Sequence, residues 1–478
     1  MNQDQYQYTL HFFYDYVFPN YKLANALIPE LGIINYMHSM NSNRLSGHGF
    51  FEQVLPINKD SSVLDFMFDG NLGHWPNSVT GDDGTHLRAG PYLEMLRCVD
   101  DAVFFGKRRG IQKYIYPIKV SPHINDFSGV THAGSRVNGE FFWKFISEEV
   151  IKDVRNRRAL IFLDYAQENY IQRENYERLH KALEYADLPK EQIILAYNSY
   201  NAKEIYEYWF PENERRMEVH NWPFVVDNTS YWYTHANVKL NRGQIVTTRF
   251  DHRPNYFLFK IRRPREWRLA LLFQLYRDNL LSKGDWSCLA DMPYEEYRAN
   301  ELKERFKIDI SNEMVQEIYK LLPHSLEDEK NGSFTNTSSW TDSQLNSYKK
   351  AYFYIATETF VEGNFASLTE KIFKPIANFM PFVFVSFPGA LKLLRSLGFQ
   401  TFSDFIDEDY DKCENAAERL SMIYKEIRRL CSMNKEEIHT WYWKMMPILE
   451  HNHDHLIGFY SRHDISKNFI NYLSQRMT

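Results

Sequence analysis

The sequence is short of cysteine and has no long apolar run. Its four cysteines, Cys98, Cys288, Cys413 and Cys431, are widely separated and form no C-x-x-C pair, which excludes a dense disulfide framework and a thiolate metal cluster of ordinary spacing. They read as buried free thiols in a reducing compartment. No window approaches the ~20 apolar residues of a membrane-spanning helix. The opening stretch MNQDQYQYTLHFFYDYVFPN lacks the basic start and apolar centre of a secretory signal. A soluble, cytoplasmic protein is expected. Charge of one sign is missing as well: 56 basic against 62 acidic residues leave a formal net charge of -6, so nothing draws the whole chain to nucleic acid or anionic membranes. His86, His123 and His132 sit on loops without i, i+4 spacing, so no metal site is expected from them. No repeat of ~20–50 residues is found.

What is present is aromatic and apolar. Hydrophobic residues make up 44% and aromatics 16% of 478 residues, the composition of a folded protein. At about 150 residues per domain, this length makes two or three domains. From residue 150 short apolar runs alternate with helical patterns. ALIFLDY (159–165), QIILAY (192–197) and WPFVVD (222–227) read as strands, and 174–186 and 202–210 read as helices. Before them, LHFFY, VLDFMF and KYIYPIKV read as strands between Gly-rich and His-rich loops. A second series follows: YFLFKI (256–261), a helix over 263–281, AYFYIAT (351–357), FVFVS (382–386) and a helix over 388–397. Such alternation predicts α/β architecture with parallel sheets. The polar stretch 326–343 reads as a surface loop or lid. From Ala416 the pattern is helical, broken at Asn452–His455 before a last helix.

The expected organisation is a first domain over residues 1–240, with room for an accessory subdomain within 1–140. A second domain over 250–450 and a C-terminal helix in 451–478, packed back on the first domain, complete it. Ligands of open α/β sheets bind in the crevice beyond the strand ends.

Two segments point toward such a crevice. KIRRPREWRLALL carries Arg262, Arg263, Arg265 and Arg268 where a strand gives way to a helix. Arginine forks and helix-start amides suit a diphosphate, although a solvated basic face explains them equally. In SLTEKIFKPI, Thr369, Glu370 and Lys371 start a helix that follows the strand ending at Glu358. The hydroxyl and acid suit a helix cap. The same three residues and Glu358, set beside the arginines, also suit a nucleotide-sugar.

These segments resemble the alpha-1,3-fucosyltransferases (glycosyltransferase family ten) and related phage and bacterial glycosyltransferases. Tyr354, Glu358, Thr369, Glu370, Lys371, Ile372 and Pro381 occupy the places of that signature, preceded by Tyr348 and Lys349. Upstream, Pro264 and Arg268 are similar to its pyrophosphate-binding arginine segment, and the likeness spans 255–405. Thr359 stands where the signature has Asn, the Glu358-to-Thr369 loop is about two residues longer, and Pro388-Gly389 replaces Gly-Ser-Pro, which leaves the donor sugar open.

The resemblance implies a GT-B-like fold, two Rossmann-like domains facing a central cleft with a helical C-terminus. The donor would bind the C-terminal domain and the acceptor the N-terminal one. It implies an inverting transfer without an essential metal, from a GDP- or UDP-linked sugar as co-substrate, with no cofactor. Arg263, Arg268, Glu358, Thr369, Glu370 and Lys371 would bind the donor. In that role Arg268 and Lys371 meet charge growing on the leaving phosphate, Glu370 holds ribose and Glu358 orients the donor. The acceptor's proton needs a base. Glu168 is the choice and Asp164 the neighbouring candidate, both past a first-domain strand, with Asp69, Asp82, Asp83 and His86 also available. A glycan is the default acceptor. A hydroxylated base in phage DNA is the alternative, supported by GKRRG (106–110) and RNRR (155–158). A non-catalytic glycan-binding module is the rival from another class.

Overall fold

The computed structural model describes residues 113–119, 148–165, 173–212, 217–223, 249–262, 264–289, 293–326, 345–363, 365–462 and 464–477, with six short strands between residues 10 and 107 and isolated positions between 214 and 246. The chain divides into two compact units, Met1–Phe224 with His463–Thr478, and Val225–Arg462.

The first unit is built on a six-stranded sheet. Its strands are β1 (Leu10–Tyr14), β2 (Val103–Lys107), β3 (Tyr114–Lys119), β4 (Ala159–Tyr165), β5 (Ile193–Tyr197) and β6 (Glu218–Asn221), in the order β6-β5-β4-β3-β1-β2. All the pairings are parallel. Residues 159–163 and all of β5 are buried, because helices cover both faces of a parallel sheet and unbroken apolar runs are then required. Helices α1 (Glu148–Arg155), α2 (Arg173–Tyr185) and α3 (Ala202–Trp209) supply that cover.

WPFVVD is not the third strand of this series. The chain pairs one turn earlier, through the more polar EVHN of β6, and Val225–Val226 lie in a helical turn. Pro223 has no N–H for a ladder, and Trp222 is buried for packing: its ring stacks on Phe469 at 4.8 Å. VLDFMF and most of the 326–343 loop lie outside the described residues.

The second unit carries a four-stranded sheet of β7 (Asn255–Ile261), β8 (Asp285–Cys288), β9 (Ala351–Thr357) and β10 (Phe382–Val385), all parallel, in the order β8-β7-β9-β10. Its helices are α4 (Glu266–Arg277), α5 (Glu296–Phe306), α6 (Asn312–Lys320), α7 (Leu345–Lys350), α8 (Glu370–Ala377), α9 (Ala390–Ser396), α10 (Ala416–Ser432), α11 (Lys435–Lys444) and α12 (Met446–Arg462). The last helix, α13 (Asp464–Met477), belongs to the first unit, where Phe469 packs on Phe162 and Trp222 and Arg476 pairs with Glu218. The expected α/β class, with two Rossmann-like parallel sheets and a helical C-terminus, is what the two units show.

Two details depart from the sequence reading. Strand β8 and helices α5 and α6 fill a stretch for which no element is expected. The break at Asn452–His455 does not exist, since α12 runs through it. Its polar side chains point at a neighbouring loop: Asn452 donates to the Gln400 carbonyl and accepts from the Gln400 N–H, both at 2.8 Å, and His455 meets the Leu397 carbonyl at 2.7 Å. In the acidic run IDEDYD (406–411), Asp411 caps the preceding helix α9, while Asn415 caps α10. The Asp411 carboxylate accepts from Leu391 N at 2.9 Å and Lys392 N at 3.1 Å, at the start of α9.

In the second unit β7 has β8 on one side and β9 on the other, so the chain reverses direction across the sheet between β7 and β9. Right-handed crossovers send α4, which follows β7, and α8, which follows β9, to opposite faces. In open α/β sheets the ligand position lies beyond the carboxyl ends of two such strands.

Candidate functional site at the switch point of the second sheet

The residues that leave β7 and β9 meet beyond these strand ends. Arg268 lies in the first turn of α4 and is buried. Its Nη2 donates to the carbonyls of Thr357 at 2.9 Å and Glu358 at 3.0 Å. The neighbouring Trp267 indole donates to the same Glu358 carbonyl at 3.1 Å. Burial pushes the Arg268 guanidinium down to about 10, with the Glu358 carboxylate pulling the other way, so it stays cationic at neutral pH.

Glu358 is only 2% exposed, and its carboxyl accepts from Thr369 N at 3.0 Å and Thr369 Oγ1 at 2.6 Å. The side chain therefore closes the loop between β9 and α8. Burial raises its pKa, against the pull of Lys371. Thr369 is also the N-cap of α8, which satisfies part of the free amide set at the helix start. The Lys371 ammonium donates to Thr369 Oγ1 at 3.1 Å and to Glu370 Oε1 at 3.0 Å. Burial works against the Glu370 carboxylate, but Lys371 and Lys374 outweigh it and hold its carboxyl below the usual range.

One connected chain of contacts thus runs from Arg268 through Glu358 and Thr369 to Lys371 and Glu370. Its inner members, Arg268, Glu358 and Thr369, are buried, whereas the side chains of Lys371 and Glu370 retain 27% and 18% exposure. The Lys371 ammonium and the Glu370 carboxylate, paired at 3.0 Å, lie at the outer end of this chain beside the start of α8, where a helix start favours an anion. The start of α9 is already occupied by Asp411.

The other expected site residues are not part of this cluster as described. Arg263 and Glu168 lie outside the described residues, as do Asp69, Asp82, Asp83, His86, His123 and His132 beyond any strand assignment. Asp164 is the penultimate residue of β4 in the first unit, with its side chain outside the description. Among the described residues no group of three His, Cys, Asp or Glu could hold a metal ion, and no helix is long and apolar enough to cross a membrane. Cys288 and Cys431 are buried, as expected, while Cys413 is half-buried.

Three contributors escape the motif reading. Trp267 grips the end of β9. Arg305 on α5 bridges Glu266 and Glu362. Arg419 on α10 is buried and reaches the turn after β9. A signal for Arg419 does exist, because it shares helical spacing with the buried Ile423, Ile427 and Leu430.

No protein-family model and no curated protein matches the chain. Among solved structures it is similar to an alpha,alpha-trehalose-phosphate synthase (UDP-forming) from Burkholderia vietnamiensis, with a TM-score of 0.30 and 8% identity over 66% of this chain and 67% of that one. So distant a likeness carries no argument, and the functional reading stands on the residues.

Proposed function

We propose that the chain is a glycosyltransferase that moves a sugar from a nucleoside-diphosphate sugar to an acceptor hydroxyl. The observation that carries this reading is the linkage of Arg268 and Lys371, from two separate strand-to-helix connections, through Glu358 and Thr369 at the switch point. The likeness of Tyr348–Pro381 to the fucosyltransferase signature supports a fucosyltransferase-like, inverting reaction with a GDP- or UDP-linked donor.

In this reading Lys371 and the start of α8 contact the diphosphate. Arg268 acts from beneath as a buried charge, and Glu370 reaches the ribose hydroxyls. Glu358 serves the donor indirectly, by fixing Thr369. As the acceptor oxygen attacks the anomeric carbon, the bond to the diphosphate breaks and its electron pair passes to the phosphate oxygen. Cations placed where that charge grows lower the barrier. The acceptor's proton needs a base, for which Glu168 or Asp164 is the proposed residue. Side-chain cations would make a metal dispensable, which activity in excess chelator tests. A glycan is the proposed acceptor. For the DNA alternative, Arg155, Arg157 and Arg158 of the RNRR turn are half-exposed and pair with Asp187, Glu191 and Asp153 of their own unit.

The test is thermal stability with GDP, UDP, CDP and ADP, since a ligand at a hundred times its dissociation constant adds about 2.7 kcal/mol. Stabilisation by one of them and hydrolysis of its sugar conjugate are expected, with a smaller stabilisation and loss of the hydrolysis in Lys371→Ala. No shift with any nucleotide would favour a glycan-binding module.

A further inference from the structure

We propose that Arg419 is a positioning residue of this site: from α10 its buried guanidinium ties the 358–363 turn to the end of β10 and so keeps the Glu358–Thr369–Lys371 chain ready for its ligand. The inference rests on the nucleotide-diphosphate reading above and adds to it a residue that touches no ligand.

Arg419 is 3% exposed. Its Nε donates to the Ser386 carbonyl at 3.0 Å, and its Nη1 to the carbonyls of Cys413 at 2.6 Å and Glu414 at 3.0 Å. Nη2 donates to the Val361 carbonyl. Among the described residues no carboxylate pairs with it. A buried cation whose direct partners are all carbonyls, with the Glu362, Glu414 and Asp411 carboxylates acting on it from farther off, carries a desolvation cost that a leucine on the same helical face would avoid. What the guanidinium supplies in return is a rigid fork. It joins three separate segments, namely the turn after β9, the residue after β10 and the approach to α10.

The turn it holds is short and carries the site. Glu358 begins it, and Gly363, at φ +99° and with open space where a side chain would stand, ends it. From the outer side Arg305 holds Glu362 of the same turn and Glu266 of α4. A buried and a more exposed arginine therefore clamp one turn from two directions. If the turn is released, Glu358 holds Thr369 in the productive place for a smaller fraction of the time. The apparent dissociation constant of a ligand rises as that fraction falls, while the saturated complex is unchanged.

The experiment compares wild type, Arg419→Lys, Arg419→Met and Arg305→Met for binding of GDP and UDP by calorimetry, for melting temperature, and for hydrogen exchange of peptides covering 358–363. Arg419→Lys keeps the charge, but one nitrogen cannot serve all four carbonyls. The expected result is a dissociation constant raised about tenfold, faster exchange confined to this turn in the free protein, and wild-type protection at saturating nucleotide. Binding within twofold of wild type, or faster exchange spread through the whole second unit, overturns the proposal. Should both Arg419 variants fail to fold, Arg305→Met decides: local loosening with weaker binding supports the clamp, and neither change overturns it. Absence of nucleotide binding by the wild-type protein removes the functional reading itself, and the positioning role with it, a result distinct from normal wild-type binding with unaffected variants.

Discussion

Glu358 shows how one side chain can serve both fold and site. Its carboxyl is buried and still accepts two hydrogen bonds from Thr369. A carboxylic acid whose pKa is raised on folding binds its proton more tightly in the folded state, so its contribution is most favourable below the ordinary glutamate value and is lost as pH rises through the raised one. Chemical denaturation across that window should show wild type losing stability relative to Glu358→Gln as pH increases. A flat difference would mean that the carboxyl is better solvated than its burial indicates. The motif residues were legible at this scale because chemistry-bearing side chains at strand-to-helix junctions stand out in sequence. The role of Glu358 was not, since its partner is a threonine eleven residues on and the contact depends on how the loop closes.

At the scale of elements, α12 offers the sharpest case. Its polar run looks like a break in sequence because Asn and His have low helix propensity. The helix persists because tertiary hydrogen bonds to the 397–400 loop satisfy those side chains. Asn452→Leu keeps the helix and removes both hydrogen bonds to the exposed Gln400, which should cost about 1–3 kcal/mol in chemical denaturation, at about 0.5–1.5 for each bond lost. Gly398→Ala places a methyl at φ +91° and 2.8 Å from the His455 ring, and a loss of about 2 kcal/mol is expected from backbone strain alone. A variant as stable as wild type would show that the loop gives way. Central strands such as β5 and β9 were readable, being unbroken apolar runs. Edge strands β6 and β8 were not, because EVHN and DWSC owe their pairing to a neighbour already in place.

For the whole molecule, two units with separate sheets argue against a single unfolding transition. His180 gives the first unit its own response to pH. It is buried against Tyr206, and burial, reinforced by Lys190, pushes its pKa down to about 4. The stability this confers is complete above its ordinary value of 6.5 and is lost as pH falls toward 4, on the order of 3 kcal/mol by the size of the shift. Calorimetry from pH 7 to 4 should show the first unit's transition falling, and His180→Phe should flatten that fall. The most direct check on the central claim is a calorimetric titration of wild type and Lys371→Ala with GDP and with UDP. Loss of one charge-assisted contact is worth about 1.5–3 kcal/mol. The expected result is binding of at least one nucleotide by wild type and about 10–100-fold weaker binding by an equally stable Lys371→Ala. Equal affinity in the two proteins, or no heat of binding in either, would contradict it.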